Sequence, residues 1–112
     1  MTQGTYPDII KALPKVDINI EGIEAWLAQG DTFQIVFFEI QLGVTIPPHA
    51  HKAQYGILIE GEMTLTIGDQ SKRLKAGDSY YIPEDVIHQA IFHTFVRAMD
   101  YFDEPNRYKQ KS

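Results

Sequence analysis

Gly-Val-Thr-Ile-Pro-Pro-His-Ala-His-Lys-Ala-Gln-Tyr-Gly-Ile-Leu-Ile-Glu-Gly, residues 43–61, is the stretch from which the rest of the chain can be read. Alternate side chains of an extended segment share a face. His49 and His51 therefore aim two imidazoles at one point, as two ligands of a single metal ion must. Pro47 and Pro48 stiffen the approach and remove two backbone donors, which assigns the segment to an edge or an opening. Gln54 follows at the entry to the next strand. Taken alone, a His-x-His pair is also what two surface or hydrogen-bonded histidines look like in a chain with four histidines. A second segment tips the balance. Gly-Asp-Ser-Tyr-Tyr-Ile-Pro-Glu-Asp-Val-Ile-His, residues 77–88, repeats the order of glycine turn, apolar strand, proline turn and histidine, and supplies a third imidazole in His88.

Around these segments the chain reads as short strands. Residues 16–40 alternate or form short apolar runs, and Gln-Gly-Asp at 29–31 separates two runs as the turn of a β-hairpin. The run Ile35-Val36-Phe37-Phe38 is apolar on both faces, so one cover should be the barrel interior and the other a partner chain. Met63, Leu65 and Ile67 alternate with Glu62, Thr64 and Thr66, and Gly-Asp-Gln at 68–70 turns the chain back. His88, Ala90 and Phe92 share one face, whereas His93 lies at an odd offset and is excluded from the site. In the last strand Val96, Ala98, Asp100 and Phe102 fall on one face, which makes Asp100 an acid among apolar neighbours. Pro7 and Pro14 bracket room for one or two helical turns, with Ile9, Ile10 and Leu13 packing on the barrel's outside or on a second subunit. The reading is all-β and single-domain: residues 1–15 an N-terminal edge or lid segment, 16–103 the barrel, and 104–112 a polar tail with frayed outer residues.

The 112 residues suffice for one core that buries roughly two thirds of the unfolded surface. A net charge of −5 with no basic patch argues against nucleic acid or an anionic membrane as partner. Lys72, Arg73 and Lys75 form only a solvated hairpin. There is no cysteine, hence no disulfide and no thiolate ligand or nucleophile. The first residues lack the pattern of a signal peptide and no apolar run reaches membrane-spanning length, so the expectation is a cytoplasmic protein.

The spacing Gly43-x5-His49-x-His51, Gln54-x6-Gly61 and Gly77-x5-Pro83-x4-His88 resembles the paired motifs of the cupin superfamily over about the central half of the chain. The resemblance implies a double-stranded β-helix, or jelly-roll barrel, with a metal ion in its open end. It also implies a fourth ligand. Here that position is an amide, Gln54, and only two residues separate it from His51, where the family has a glutamate slightly later. Asp85 stands where the family has a glycine after the proline, and Phe92 where it has an asparagine.

Three imidazoles and an amide are all neutral, so a divalent ion would keep its charge and the site should attract a small anion. Such donors suit Zn, Ni, Fe, Co or Mn alike. With the C-terminal strand included, the chain looks like the small KdgF-type cupins that linearise 4,5-unsaturated uronates from pectin or alginate. That narrower resemblance implies catalytic roles for Asp100, Phe102 and Arg107, although Arg107 stands one residue later than the pattern has it. Another metal-dependent cupin enzyme, a dioxygenase or an isomerase, and a non-catalytic cupin binding a small acid are the other readings the ligand set allows. The apolar outer run and the N-terminal residues together suggest a homodimer.

Overall fold

The computed structural model describes residues 3–112 and consists of two antiparallel sheets facing each other. After a single helical turn, α1 (Asp8–Lys11), the chain forms β1 (Ile23–Gln29), β2 (Gln34–Ile40), β3 (Thr45–His49), β4 (Gln54–Glu60) and β5 (Glu62–Ile67). There follow β6 (Gln70–Lys75), β7 (Ser79–Ile82), β8 (His88–Phe92) and β9 (Val96–Phe102). One sheet has the order β1-β2-β9-β4-β7 and the other β3-β8-β5-β6. Period-2 alternation drives this closure, since one side chain in two must leave water and the facing sheet is the cover. In β2, Gln34, Val36, Phe38 and Ile40 are buried, and in β9 Val96, Ala98, Asp100 and Phe102 are. The apolar members of these two sets make the core with Leu27, Leu58, Leu65 and Phe92, each fully buried large apolar side chain worth about 1.5–3 kcal/mol.

The hairpin expected around residues 29–31 is present, and the paired prolines sit where an edge tolerates them. β3 is the outer strand of its sheet, and its pairing with β8 slips between Ile46 and His49, across Pro47 and Pro48. Gly61 turns β4 into β5 at φ +95°, and an added Cβ would meet the Phe95 carbonyl oxygen at 2.2 Å. Only glycine fits there.

At the N-terminal end Tyr6 is buried on the outer face of the larger sheet, edge-on to Trp26 and Phe37. Its hydroxyl donates to the carbonyls of Phe38 and Ala98. The outer side of the run 35–38 is thus partly covered by this chain itself. Residues 17–20, expected to be strand-like, run instead along the seam between the sheets. The polar tail is tied down by pairing, because the Asp17 N–H donates to the Lys109 carbonyl and the Lys111 N–H to the Lys15 carbonyl.

Gln34, 1% exposed, clamps that tail. Its amide nitrogen donates to the carbonyl of Tyr108 (2.9 Å) and to Gln29 Oε1 (2.8 Å), and its oxygen accepts the Tyr108 N–H (3.0 Å). Gln34→Leu keeps the volume but orphans both main-chain groups of Tyr108, at a cost of about 1–3 kcal/mol for each group left buried. The expected result is a lower thermal midpoint with amide protection lost at Tyr108 and kept in β5 and β8, read by hydrogen exchange.

Candidate metal centre

The strand register brings the three histidines together. His49, the last residue of β3, is paired with His88, the first of β8, while His51 lies in the turn leading to β4. Ring centroids are 4.1 Å apart for His49 and His88, 4.7 Å for His51 and His88, and 5.1 Å for His49 and His51. One nitrogen from each lies within 4.8 Å of the other two. The proline turn is fastened to this cluster: Asp85 adopts φ 63°, the left-handed conformation for which its family position has glycine, and donates its N–H to the His51 carbonyl at 2.9 Å.

Hydrogen bonding fixes which nitrogen of each ring is free. Nδ1 of His49 contacts the Pro47 carbonyl at 3.0 Å, that of His51 the Lys52 carbonyl at 2.7 Å, and that of His88 the Val86 carbonyl at 3.0 Å. A carbonyl only accepts, so each Nδ1 carries the hydrogen and each Nε2 keeps a lone pair. Burial pushes the His51 imidazole down to about 4, with Arg107, His88 and His49 acting in the same direction. It lowers His88 as well. Both rings are neutral at pH 7, and the 4.0 Å approach of Glu104 to His51 Nδ1 is not an ion pair. A neutral imidazole oriented by a carbonyl on its far nitrogen is the form that binds a metal ion.

Gln54, Asp100, Phe102 and Arg107 line the same cavity as the histidines, a space of about 620 Å³. The Gln54 amide nitrogen donates to Asp100 Oδ1 at 3.0 Å, which leaves its carbonyl oxygen without a protein donor among the described residues. Asp100 is 3% exposed, and Tyr80 donates its hydroxyl to the same Oδ1 at 2.7 Å. Burial pushes the Asp100 carboxyl up to about 6 despite those two hydrogen bonds, which favour the ionised form. Burial and the neighbouring Asp100 raise the Tyr80 hydroxyl far above its usual range, so it stays a donor. Phe102 lies beneath the cluster with its ring 5.7 Å from that of His51 and 5.4 Å from that of Tyr108. Arg107 stacks over Tyr108 at 4.6 Å, its Nε is buried without a partner, and none of the ion pairs among the described residues includes it. His93 faces away, bonded to Thr64 on the exposed side.

Sequence reasoning missed Tyr80 and the residue that makes room for it. Gly56 of β4 is paired with Tyr80 of β7 on one side and Asp100 of β9 on the other. A Cβ there would lie 2.0 Å from Asp100 Oδ1 and 2.3 Å from the Tyr80 ring. The hydroxyl and the carboxyl meet across the space a side chain would fill. A glycine inside a strand is the signal that could have found this contact.

The chain matches the cupin domain family model over residues 36–100. An H2HPP isomerase of Bacillus subtilis is 34% identical over 64 residues, 55% of this chain. Those residues are 27% of that protein, so the chain spans about a quarter of the length of this curated relative. Among solved structures, the KdgF of a Halomonas species superposes with a TM-score of 0.74 at 23% identity, covering 82% of this chain and 88% of that one. An RmlC-like cupin of Shewanella frigidimarina superposes with a TM-score of 0.75 at 26% identity, covering 84% and 86%. With the paired motifs, the two facing sheets and the three convergent histidines all in place, this chain belongs to the cupin family.

Proposed function

We propose that this protein is a metal-dependent enzyme that holds a small carboxylic acid in its barrel and isomerises it by moving a proton between carbon and oxygen. The observation that carries the reading is the gathering of three imidazoles, one buried carboxyl and one guanidinium with no ion-pair partner among the described residues around a single cavity. The donor set fits a single divalent transition ion, Zn, Ni, Fe, Co or Mn, held by His49, His51, His88 and the carbonyl oxygen of Gln54. Bound there, the ion supplies Lewis acidity and an uncancelled positive charge.

The remaining work falls to the chain. Arg107 receives the substrate carboxylate, its fork being matched to two oxygens. Asp100 accepts a proton from one substrate atom and returns it to another, with Tyr80 and Gln54 fixing Oδ1 so that Oδ2 is the working atom. Phe102 moves no proton and acts as the floor against which His51 and Tyr108 are set. Linearisation of an unsaturated uronate is one transfer of this kind, and the likeness to a KdgF and to an isomerase supports proton transfer as the chemistry. The reaction is tested in D₂O with unsaturated uronates and 2-oxo acids, following deuterium uptake at carbon by NMR. Uptake no faster with protein than without it would sink the proposal.

Elemental analysis of protein purified without chelator is expected to give one transition metal ion per chain, and His49→Ala with His88→Ala to abolish it. For Asp100→Asn the expectation is a fall in kcat of ~10²–10⁴-fold, the usual weight of a general acid-base group. Metal content and melting temperature should hold, because the amide oxygen still accepts from Tyr80 and Gln54 and the charge that burial opposes is gone.

We also propose a homodimer across the outer face of the larger sheet. Tyr101, Tyr55 and Tyr81 are cross-strand neighbours there, and with Met99 they are 38–58% exposed. Light scattering at micromolar concentration should return twice the chain mass, and Tyr55→Asp with Tyr81→Asp should return the monomer.

A further inference from the structure

Resting on that reading of a carboxylate-binding metal cavity, we infer that the acid it takes carries an apolar body, about the size of a carbon ring, seated on a wall of isoleucines beside the histidines. The wall begins where the metal cluster ends. Along β3 and β8 the chain passes from His49 and His88 to the paired residues Ile46 and Ala90, then along β8 to Phe92, with Leu65 of β5 opposite Ala90. Two residues of a strand advance about 7 Å, the reach of a carboxylate with two or three carbons. Ala90 keeps this level shallow on one side. Ile40 of β2 and Ile23 of β1 face the wall from the larger sheet, and Ile18 and Ile20 close it from the seam segment.

Exposure shows which of these residues are left partly uncovered. Leu65 and Phe92 are buried, but Ile18, Ile23 and Ile46 are only half-buried and Ile20 is 39% exposed, although all of them line the cavity. Covering that surface with a ligand's apolar atoms is favourable. The polar groups lie elsewhere. Tyr80, Gln54, Asp100 and Arg107 surround the histidines, and Asp17, Asn19 and Lys109 stand on the exposed rim. Below that rim, hydroxyls on a sugar ring would face Ile23, Ile40 and Ile46 with nothing to bond, and losing water there is costly. Within the class of small acids, the wall selects against polyhydroxylated uronates.

The test is calorimetric titration of the zinc-loaded protein with 3-phenylpropionate and with galacturonate at one ionic strength. Phenylpropionate is expected to bind about tenfold tighter or better, as burial of a ring implies. Ile20→Ser, at a position exposed enough to spare the fold, and Ile23→Ala should each weaken it by roughly threefold or more. Galacturonate binding as tightly as phenylpropionate would overturn the inference and leave the carboxylate reading standing. Unchanged phenylpropionate affinity in both variants would overturn the seat assigned to the body. If neither acid binds, the reading beneath falls as well.

Discussion

Each of the three imidazoles gives its Nδ1 hydrogen to a main-chain carbonyl, and the rest of the centre depends on that. Without those bonds a neutral histidine can present either nitrogen, and three rings would seldom offer three lone pairs to the same space at once. With them, the tautomer of every ring is set by backbone, which the sheets hold in place at no further cost in side-chain order. The acceptors come from the same short segments as the rings, two residues before His49 and His88 and one after His51. The Pro47 carbonyl comes from the irregular pairing inside β3 and those of Lys52 and Val86 from the connections after β3 and before β8, so the prolines that deny backbone donors to the ladder lie in the segments that turn carbonyls toward the imidazoles.

A second constraint is steric and acts through an absent side chain. Asp100 and Tyr80 stand on strands separated by β4, too far apart to bond directly over an ordinary residue. Gly56 removes the obstacle, and the phenol reaches across to the carboxyl. Because that oxygen also receives the Gln54 amide hydrogen, the amide is turned so that its carbonyl is free for other use. The acid and the Gln54 amide are therefore set together. A change at Gly56 would disturb both through Asp100 and Tyr80, at a residue that is not itself part of the cavity wall.

Much of this could be read from the sequence, and the parts that could not have a common physical cause. Period-2 alternation determined that His88 faces inward and His93 outward, and that Asp100 shares a buried face with Phe102. Those are properties of one strand. What alternation cannot express is the pairing of distant strands, and so Tyr80 was only one of two adjacent aromatics until β7 and β9 were placed on either side of β4. The ends failed for the same reason. Residues 104–112 have no apolar period, yet they are held by main-chain pairing to residues 15–17 and by the Gln34 amide, interactions in which side-chain hydropathy has little part. Tyr6 occupies the outer face that the sequence assigned to a partner chain, since an apolar strand face says that it needs cover and not whose. Asp85 shows the converse. The family's glycine records a need for positive φ, which aspartate meets more readily than most residues.

The charge of the donors links the centre to its surroundings. A chain of net charge −5 repels small acids at long range, and a carboxylate among the ligands would cancel half the charge of a divalent ion at short range. An amide at that position avoids the second loss. Asp100 is engaged at Oδ1 by Tyr80 and Gln54, and burial raises its carboxyl from the usual aspartate range to about 6. Arg107 is in no ion pair among the described residues, and Glu104, three residues before it, accepts the Lys52 N–H. The histidine end of the cavity thus combines Arg107 with a carboxyl whose ionisation burial opposes, while Ile23, Ile40 and Ile46 line it with hydrocarbon, so that one barrel offers a polar and an apolar surface side by side.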